Sequence, residues 1–470
     1  MEFFGRKKEL EMLETLYRNT PSFVVLTGKR RIGKTELIKQ FCRNKRSLYL
    51  YVDSNKSSEI LLEEFEREIR AILEMDDYIH FDNFGEMLGF LFIQKEELVI
   101  AIDEFQRFKK LDPSFITELQ RTWDMKQSDS KVMLIASGSA MGMMRELFIE
   151  RGSPLFKRAE MIMNLRPFRI DEVYNILKGI GIKKEKEMFD LYCLFGGTIY
   201  YYRLIEKFEV KDFRDTVEKL LLDDLAPLRT EIRDILIEEF GKSHATYFEI
   251  LSAMAMGKTT KKEIGDRTHI SSTSLSPYIF DLKEILMIVD HVIPVLEDRA
   301  RTKKGIYVLR DNFFRFYFRF IYRNMSIYQI GRYDLISSKI DEQWDAFKGR
   351  IIEDLALEYA ARTWIEDYPQ IGKYWDRKGN EIDILGVDRK RRKIFLMEVK
   401  LRELSKNESL RIIDNMRRKA EILPFRYKEI SLGLAASKIK GREELEKLGH
   451  VTLTLDDIVK RRIIDIIHQS

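Results

Sequence analysis

Gly28-Lys29-Arg30-Arg31-Ile32-Gly33-Lys34-Thr35 carries the spacing G-x-x-x-x-G-K-[ST] of a phosphate-binding loop. The apolar run Phe23-Val24-Val25-Leu26 precedes it, and Glu36-Leu37-Ile38-Lys39-Gln40-Phe41 follows with helical spacing. Strand, glycine-rich loop and helix form the context such a loop requires. Gly28 and Gly33 let the backbone turn without a Cβ, so successive N–H groups can face phosphate oxygens. A helix starting near Gly33 directs its positive end at the same anion. Lys34 can reach the β- and γ-phosphates, and Thr35 can set its hydroxyl on Mg²⁺. All eight residues, 28 to 35, are therefore expected to bind nucleotide, with ATP and Mg²⁺ as the ligands.

Downstream, Leu98-Val99-Ile100-Ala101-Ile102-Asp103-Glu104 reads as a strand buried on both faces and ending in two acids. Asp103 is placed to hold Mg²⁺, and Glu104 to activate the attacking water as a general base. Residues 131–136 read as another buried strand, followed by Ser137-Gly138-Ser139. Ser137 and Ser139 are candidate sensors of the γ-phosphate; the plainer reading is a small-residue turn. Of Arg151 and Arg158, Arg158 is favoured to stabilise γ-phosphate charge, in cis or across the subunit contact of a homo-oligomer. A surface arginine is the competing reading.

Strands and helices alternate to residue 165, which implies a parallel sheet covered on both faces. From 168 to 240 the pattern is helical, broken once at Gly196-Gly197-Thr198 before Tyr200-Tyr201-Tyr202. That stretch reads as a helical lid. Three helices follow, at 245–256, at 260–266 and from the N-cap candidates Ser271–Ser274 to Leu286. Strands at 289–295 and 305–309 then flank the charged tip 297–304. Three helices and a two-stranded basic wing make a winged-helix layout, suited to DNA phosphate and groove contacts. A protein-packing or lid role is the alternative, since the third helix opens with Ser and Thr rather than Arg or Asn.

In the last third, a helix at 345–363 contains Glu353. Strands are expected at 371–375, 381–387, 394–400, 428–435 and 451–455, with a helix at 407–422. Residues two apart on a strand share a face, so Glu381 pairs with Asp383 and Glu398 with Lys400. Glu398 and Lys400 interrupt a run otherwise apolar on both faces, where charge is costly unless paired or metal-bound. Two or three carboxylates and an ammonium converging there could hold Mg²⁺ and activate a water, with Lys400 stabilising phosphorane-like charge. An edge hairpin with solvated charges is the bland alternative.

Composition sets the limits. The 470 residues suggest about three or four domains. Apolar residues are 44% and charged residues 34%, with a net charge of +5. Residues 331–470 hold 29 basic against 25 acidic residues, which accounts for most of that excess and argues weakly for an anionic partner. Cys42, expected buried, and Cys193 are too few and too far apart for a zinc site or disulfide framework. The start, Met1 to Arg6, lacks a signal-peptide layout. The most apolar stretch, 313–321, is too short and too charged to span a bilayer. A soluble cytoplasmic protein without membrane association is expected.

These residues together resemble the archaeal-type P-loop ATPases (AAA+/STAND-like), which carry a helical lid, a winged helix and a C-terminal domain of uncharacterised function (DUF234 type) similar to PD-(D/E)xK nucleases. The resemblance rests on Gly28–Thr35, on Asp103-Glu104 and on Leu165-Arg166-Pro167-Phe168. It also rests on Gly196-Gly197 with the tyrosines after it, and on Asp383…Glu398-Val399-Lys400. It implies an α/β architecture: an ATPase domain at 1–165, a lid at 166–240, a winged helix at 241–325 and a restriction-endonuclease-like domain at 326–470. It implies Lys34 and Thr35 on nucleotide and Mg²⁺, with Asp103 and Glu104 as the Walker B acids. Asp383, Glu398 and Lys400 become the nuclease motif, Glu353 its preceding helical acid, and Mg²⁺ its metal. Glu381-Ile382-Asp383 departs from a Pro-Asp pair. The expected function is an ATPase coupled to a DNA-directed nuclease domain, with DNA favoured over RNA as partner. The alternative is an ATP-dependent DNA-binding regulator whose nuclease fold is inactive.

Overall fold

Apolar runs with no polar alternation form the first sheet. In the computed structural model, which describes residues 3–75, 80–299, 301–302 and 304–460, these runs become β1 (Ser22–Thr27), β2 (Ser47–Tyr51), β3 (Leu98–Asp103), β4 (Val132–Gly138) and β5 (Met161–Asn164). Every pairing is parallel and the order is β2-β3-β4-β1-β5. β1, β3 and β4 are buried at every position, which is why they read as continuous apolar stretches. β5, at the sheet edge, alternates half-buried and exposed residues; its four residues gave no such run, and the sequence reading did not single it out.

Alternate residues of each strand enter opposite layers. Phe23, Ile100 and Leu134 join one core with Trp123. Val24, Val99 and Met133 join the other with Leu37 of α1 (Lys34–Cys42). Parallel strands place the ends of β1, β3 and β4 on one edge. The phosphate-binding loop, Asp103 and Ser137 therefore gather where such sheets bind ligands. Helix α2 (Met141–Phe148) follows β4, and α3 (Ile199–Lys207) clusters with this sheet. The first unit comprises residues 1–168, 198–207 and 277–287.

The second unit comprises 169–197, 208–276 and 288–470. The stretch expected as one lid is thus divided, 198–207 going with the ATPase sheet. Helices α4 (His244–Ala255), α5 (Lys261–Thr268) and α6 (Ser272–Phe280) precede an antiparallel hairpin of β6 (Val289–Val292) and β7 (Ile306–Leu309). Ser271 accepts from Ser274 N–H at 3.1 Å, the N-cap the sequence pointed to. β6 ends at Val292, short of the expected 295, because Val295 donates its N–H to Lys373 instead (2.9 Å). Ala300 and Lys303 of the expected wing tip lie outside the described residues.

Helix α7 (Tyr333–Thr363) begins about three turns before the expected 345. Its early turns bury only Ile336, Ile340 and Trp344 among charges, too sparse a stripe to read from sequence. The C-terminal sheet has β8 (Gln370–Trp375), β9 (Glu381–Asp388), β10 (Lys393–Leu404), β11 (Glu429–Ile439) and β12 (Val451–Thr454), in the order β12-β11-β10-β9-β8. It is mixed: β10, β11 and β12 run parallel, while β9 is antiparallel to β8 and β10. Helix α8 (Lys406–Glu421) buries Ile413, Met416 and Ala420 against this sheet's core. Ser405 and Glu408 close a capping box at its start, a feature worth about 1 kcal/mol. The 313–321 stretch is interior, with Phe313, Phe316 and Phe320 fully buried. Among the described residues no helix is long and apolar enough to cross a membrane.

Candidate functional site

The loop after β1 has the backbone its glycines permit. Gly28 and Gly33 adopt φ of 149° and 97°. A Cβ on Gly28 would meet the Leu165 carbonyl at 2.8 Å, so only glycine fits there. Lys34 is buried and donates to the carbonyls of Gly28 (2.7 Å) and Lys29 (3.3 Å). Thr35 donates to Asp103 Oδ2 at 2.9 Å, so the hydroxyl and carboxylate expected to share Mg²⁺ already meet. Tyr49 on β2 donates to the same oxygen at 2.5 Å. Burial, then the bond to Asp103, pushes the Tyr49 phenol well up, so it stays a donor.

Glu104 has a left-handed backbone (φ 56°). Ser139 Oγ lies 3.1 Å from both of its carboxylate oxygens, and Gln106 Nε2 donates to Oε2 at 2.5 Å. The expected base is thus held by two neighbours, and Ser139 acts on Glu104 in this arrangement. Ser137, at the end of β4, is fully buried and its Oγ has no hydrogen-bond partner among the described residues.

Arg158 departs from expectation. Its guanidinium grips Asp124 with two bonds of 2.8 and 2.7 Å and donates to the Pro154 carbonyl at 2.5 Å. A fork closed on a carboxylate 34 residues upstream is committed, so Arg158 is not offered to a γ-phosphate. Arg203 on α3 comes to the loop instead. It pairs with Glu36 of α1 at 3.0 Å, and the Arg203 bond holds the Glu36 carboxyl below the usual range despite its partial burial. The neighbouring Tyr200 ring lies 3.9 Å from the Arg31 guanidinium carbon. Arg6 supports the loop from outside through the carbonyls of Ile32 (3.3 Å) and Arg166 (2.8 Å).

Among the described residues, four buried polar atoms around this edge lack a hydrogen-bond partner: Gln106 Oε1, Ser137 Oγ, Thr198 Oγ1 and Arg203 Nε. Buried groups are normally satisfied. The two hydroxyls and Arg203 Nε can donate to an anion such as a nucleotide phosphate beside this glycine-shaped loop, while Gln106 Oε1 can accept only from a donor such as water.

The C-terminal sheet holds a second cluster. Asp383 on β9 accepts from Val399 N–H of β10 at 2.8 Å. Glu398 lies between two ammonium groups, Lys400 Nζ at 2.8 Å and Lys419 Nζ at 3.0 Å. Burial, then the Glu398 charge, lifts the Asp383 carboxyl to about 6, with Glu353 adding to the push. Burial also works against charge on Glu398, yet Lys400 and Lys419 outweigh it and hold that carboxyl low. Burial likewise opposes the Lys400 charge, but Glu398, Asp383 and Glu353 outweigh it and hold the ammonium high.

Glu353 on α7 is turned to Lys373 of β8 (2.9 Å). Among the described residues no three His, Cys, Asp or Glu side chains are grouped to hold a metal. The expected metal set of Glu353, Asp383 and Glu398 is therefore not assembled: Glu353 and Glu398 have taken lysines. Asp383 and Glu398 remain as the donors a cation would use, and the raised Asp383 is the carboxylate a cation would relieve. Glu381 is exposed at the start of β9 and makes no part of the cluster.

Comparison with known proteins bears on both sites. An ATPase domain family found predominantly in Archaea matches residues 3–205. A second family, DUF234, described as archaeal and bacterial proteins of unknown function, matches residues 317–412. An uncharacterized protein of Methanocaldococcus jannaschii is 29% identical over 449 residues, 94% of this chain and 97% of that one. The chain is thus similar to archaeal-type P-loop ATPases over one stretch and to DUF234 proteins over another. An uncharacterized ATP-binding protein of the same archaeon is 49% identical over 45 residues, 9% of this chain and 76% of its own. Among solved structures, the Walker-type ATPase of Pyrococcus abyssi has a TM-score of 0.50 and 18% identity, covering 68% of this chain and 96% of that one. That likeness concerns the fold alone.

Within the ATPase domain, the sequence located the loop, Asp103 at the end of β3 and Glu104 just after it. It missed Tyr49, Gln106 and Arg203. Arg203 had one available signal, a cation on the helix that opens after Gly196-Gly197. In the DUF234 domain it located Asp383, Glu398 and Lys400 but missed Lys373 and Lys419, which lie on other elements.

Proposed function

We propose that this chain is a Mg²⁺-dependent ATPase whose nucleotide cycle controls a nucleic-acid-directed, metal-dependent phosphodiesterase in the C-terminal domain. The observation that carries the ATPase half is the Thr35–Asp103 contact beneath a loop that only glycine can form. In this reading Lys34 leaves its two carbonyls for phosphate oxygens. The Thr35 hydroxyl and Asp103 hold the metal, which supplies charge neutralisation between the phosphates. Glu104, released from Ser139 and Gln106, takes the proton of the attacking water. Arg203, on leaving its single bond to Glu36, replaces Arg158 as the cation facing the γ-phosphate, acting in cis, so a subunit contact is not required.

In the C-terminal domain Asp383 and Glu398 would hold a cation, and Lys400 would stabilise charge on the scissile phosphate. The three helices and hairpin at 241–325 would serve as a winged helix touching phosphate, on DNA before RNA. The parts are taken as 1–165, 166–240, 241–325 and 326–470, with 198–207 working alongside the first. A soluble, cytoplasmic location belongs to the same reading.

A second reading, a DNA-binding regulator with an inactive nuclease fold, is favoured by one observation: Glu398 is already neutralised by two lysines. Salt-dependent DNA binding without cleavage, unchanged by Lys400→Ala, would support it. The ATPase half is tested by Mg²⁺-dependent release of phosphate from ATP. Glu104→Gln should bind ATP and lose turnover; unchanged turnover would remove Glu104 as the base.

A further inference from the structure

Beside the C-terminal cluster lies a cavity of about 440 Å³, walled by β7, the 313–321 stretch, α7 and β8. Five basic side chains line it. Three are neutralised locally. Arg310 pairs with Asp354 (2.7 Å) and Asp290 (2.9 Å), Arg315 with Asp354 (3.0 Å), and Lys373 with Glu353 (2.9 Å). The other two, Arg319 and Arg350, have no carboxylate partner among the described residues.

Arg319 is half-buried, and its one bond is to the neutral Gln343 at 3.3 Å. Burial, then Arg350 and Arg323, hold its guanidinium below the usual range. Like charges gathered in a partly desolvated wall are costly without an anion. A phosphate answers that need, because guanidinium forks bind its oxygens bidentately. Tyr307 and Trp375 line the same cavity and add aromatic surface to its wall. The volume falls within the roughly 300–1,000 Å³ typical of small-ligand sites.

We propose that this cavity is a second anion site, separate from the phosphate-binding loop, in which Arg319 and Arg350 grip the phosphate of a nucleotide unit. A strand and a free nucleotide share that chemistry. Glu381, two residues before Asp383 on β9, stands in the same wall as Glu353 and Lys373. This favours a strand whose phosphate is anchored here while its neighbour reaches the Asp383 and Glu398 cluster. The strand assignment rests on the nucleic-acid reading above; the phosphate site does not.

The test uses full-length Lys34→Ala protein, so that the phosphate-binding loop contributes no nucleotide binding. Fluorescence anisotropy would follow a short 5′-phosphorylated single strand and a labelled nucleoside monophosphate at low salt. Arg350→Glu, at an exposed position, and Arg319→Gln are then added singly. Each should weaken the bound probe by about tenfold or more, the loss of one charge-assisted pair. Arg350→Glu should also lower the salt slope for the strand by about one and, because it relieves the repulsion on Arg319, should not lower the melting temperature. Should Arg319→Gln fold poorly, Arg350→Glu carries the test alone. Arginine-dependent binding of the strand supports both site and source. Arginine-dependent binding of the monophosphate alone supports the site and overturns the strand. A strand held equally well by Arg350→Glu overturns the site and leaves the nucleic-acid reading standing. Binding of neither probe overturns both.

Discussion

In the ATPase domain Lys34 turns back onto two uncharged carbonyls, whereas in the C-terminal domain Lys400 and Lys419 both close on the charge of Glu398. The carbonyls that accept from the first lysine carry no net charge, so an incoming phosphate outbids them. The second pair is held by a full charge, and the strain falls on Asp383, left facing other carboxylates with its pKa near 6. The nucleotide site is therefore poised for an anion. In the C-terminal cluster the lysines close on Glu398, and Asp383 is the carboxylate that a cation would settle.

The largest effects should come from the nucleotide site. Lys34→Ala removes two charge-assisted contacts and should weaken ATP binding by about a hundredfold or more in calorimetry. Glu104→Gln should keep ATP affinity while turnover falls by roughly 10²- to 10⁴-fold. The arginines give a sharper contrast. Arg203→Ala should lower turnover by about tenfold or more. Arg158→Ala should leave turnover unchanged and cost about 1 kcal/mol or less, the worth of a partly exposed ion pair. The reverse result would restore Arg158 to the site.

Asp383 gives the pH arm. The unfolded carboxyl ionises near pH 4 and the folded one near 6, so the folded chain keeps the extra proton between those values. Stability contributed by this group is therefore present below pH 4 and lost as pH rises through 6, a change of about 2–3 kcal/mol. Asp383→Asn should be more stable than the natural chain at pH 7.5 and equal to it near pH 4, by thermal melting. Mg²⁺ or Mn²⁺ should raise the melting temperature of the natural chain above pH 6 and leave that of Asp383→Asn unmoved. The smallest effect concerns Ser139. Ser139→Ala removes a hydrogen bond worth about 1 kcal/mol from Glu104 and should raise basal turnover by about two- to fivefold. A fall would mean that Ser139 serves the reaction directly.

What the sequence made legible was local. The loop at 28–35, Asp103-Glu104 and the Glu398/Lys400 pair are contiguous, so residue type and spacing carry the chemistry. The parallel sheet was legible because β1, β3 and β4 are buried on both faces. Long-range partners were not. Nothing in the 151–158 stretch reveals that Asp124 waits for Arg158, or that Arg203 meets Glu36 across 167 residues. Glu353 was expected as a metal ligand because the lysine that claims it, Lys373, stands 20 residues on, across a helix-to-strand turn. The early turns of α7 and the edge strand β5 stayed hidden because their apolar patterns are thin.

The central claim is that the C-terminal cluster works on nucleic acid under control of the nucleotide site. Its most direct test is cleavage of plasmid and linear DNA with Mg²⁺ or Mn²⁺, with and without ATP, by the natural chain and Lys400→Ala. Cleavage that depends on the metal, changes with ATP and disappears in Lys400→Ala is the predicted result. Binding without cleavage under every one of these conditions would contradict it and leave the DNA-binding regulator in its place.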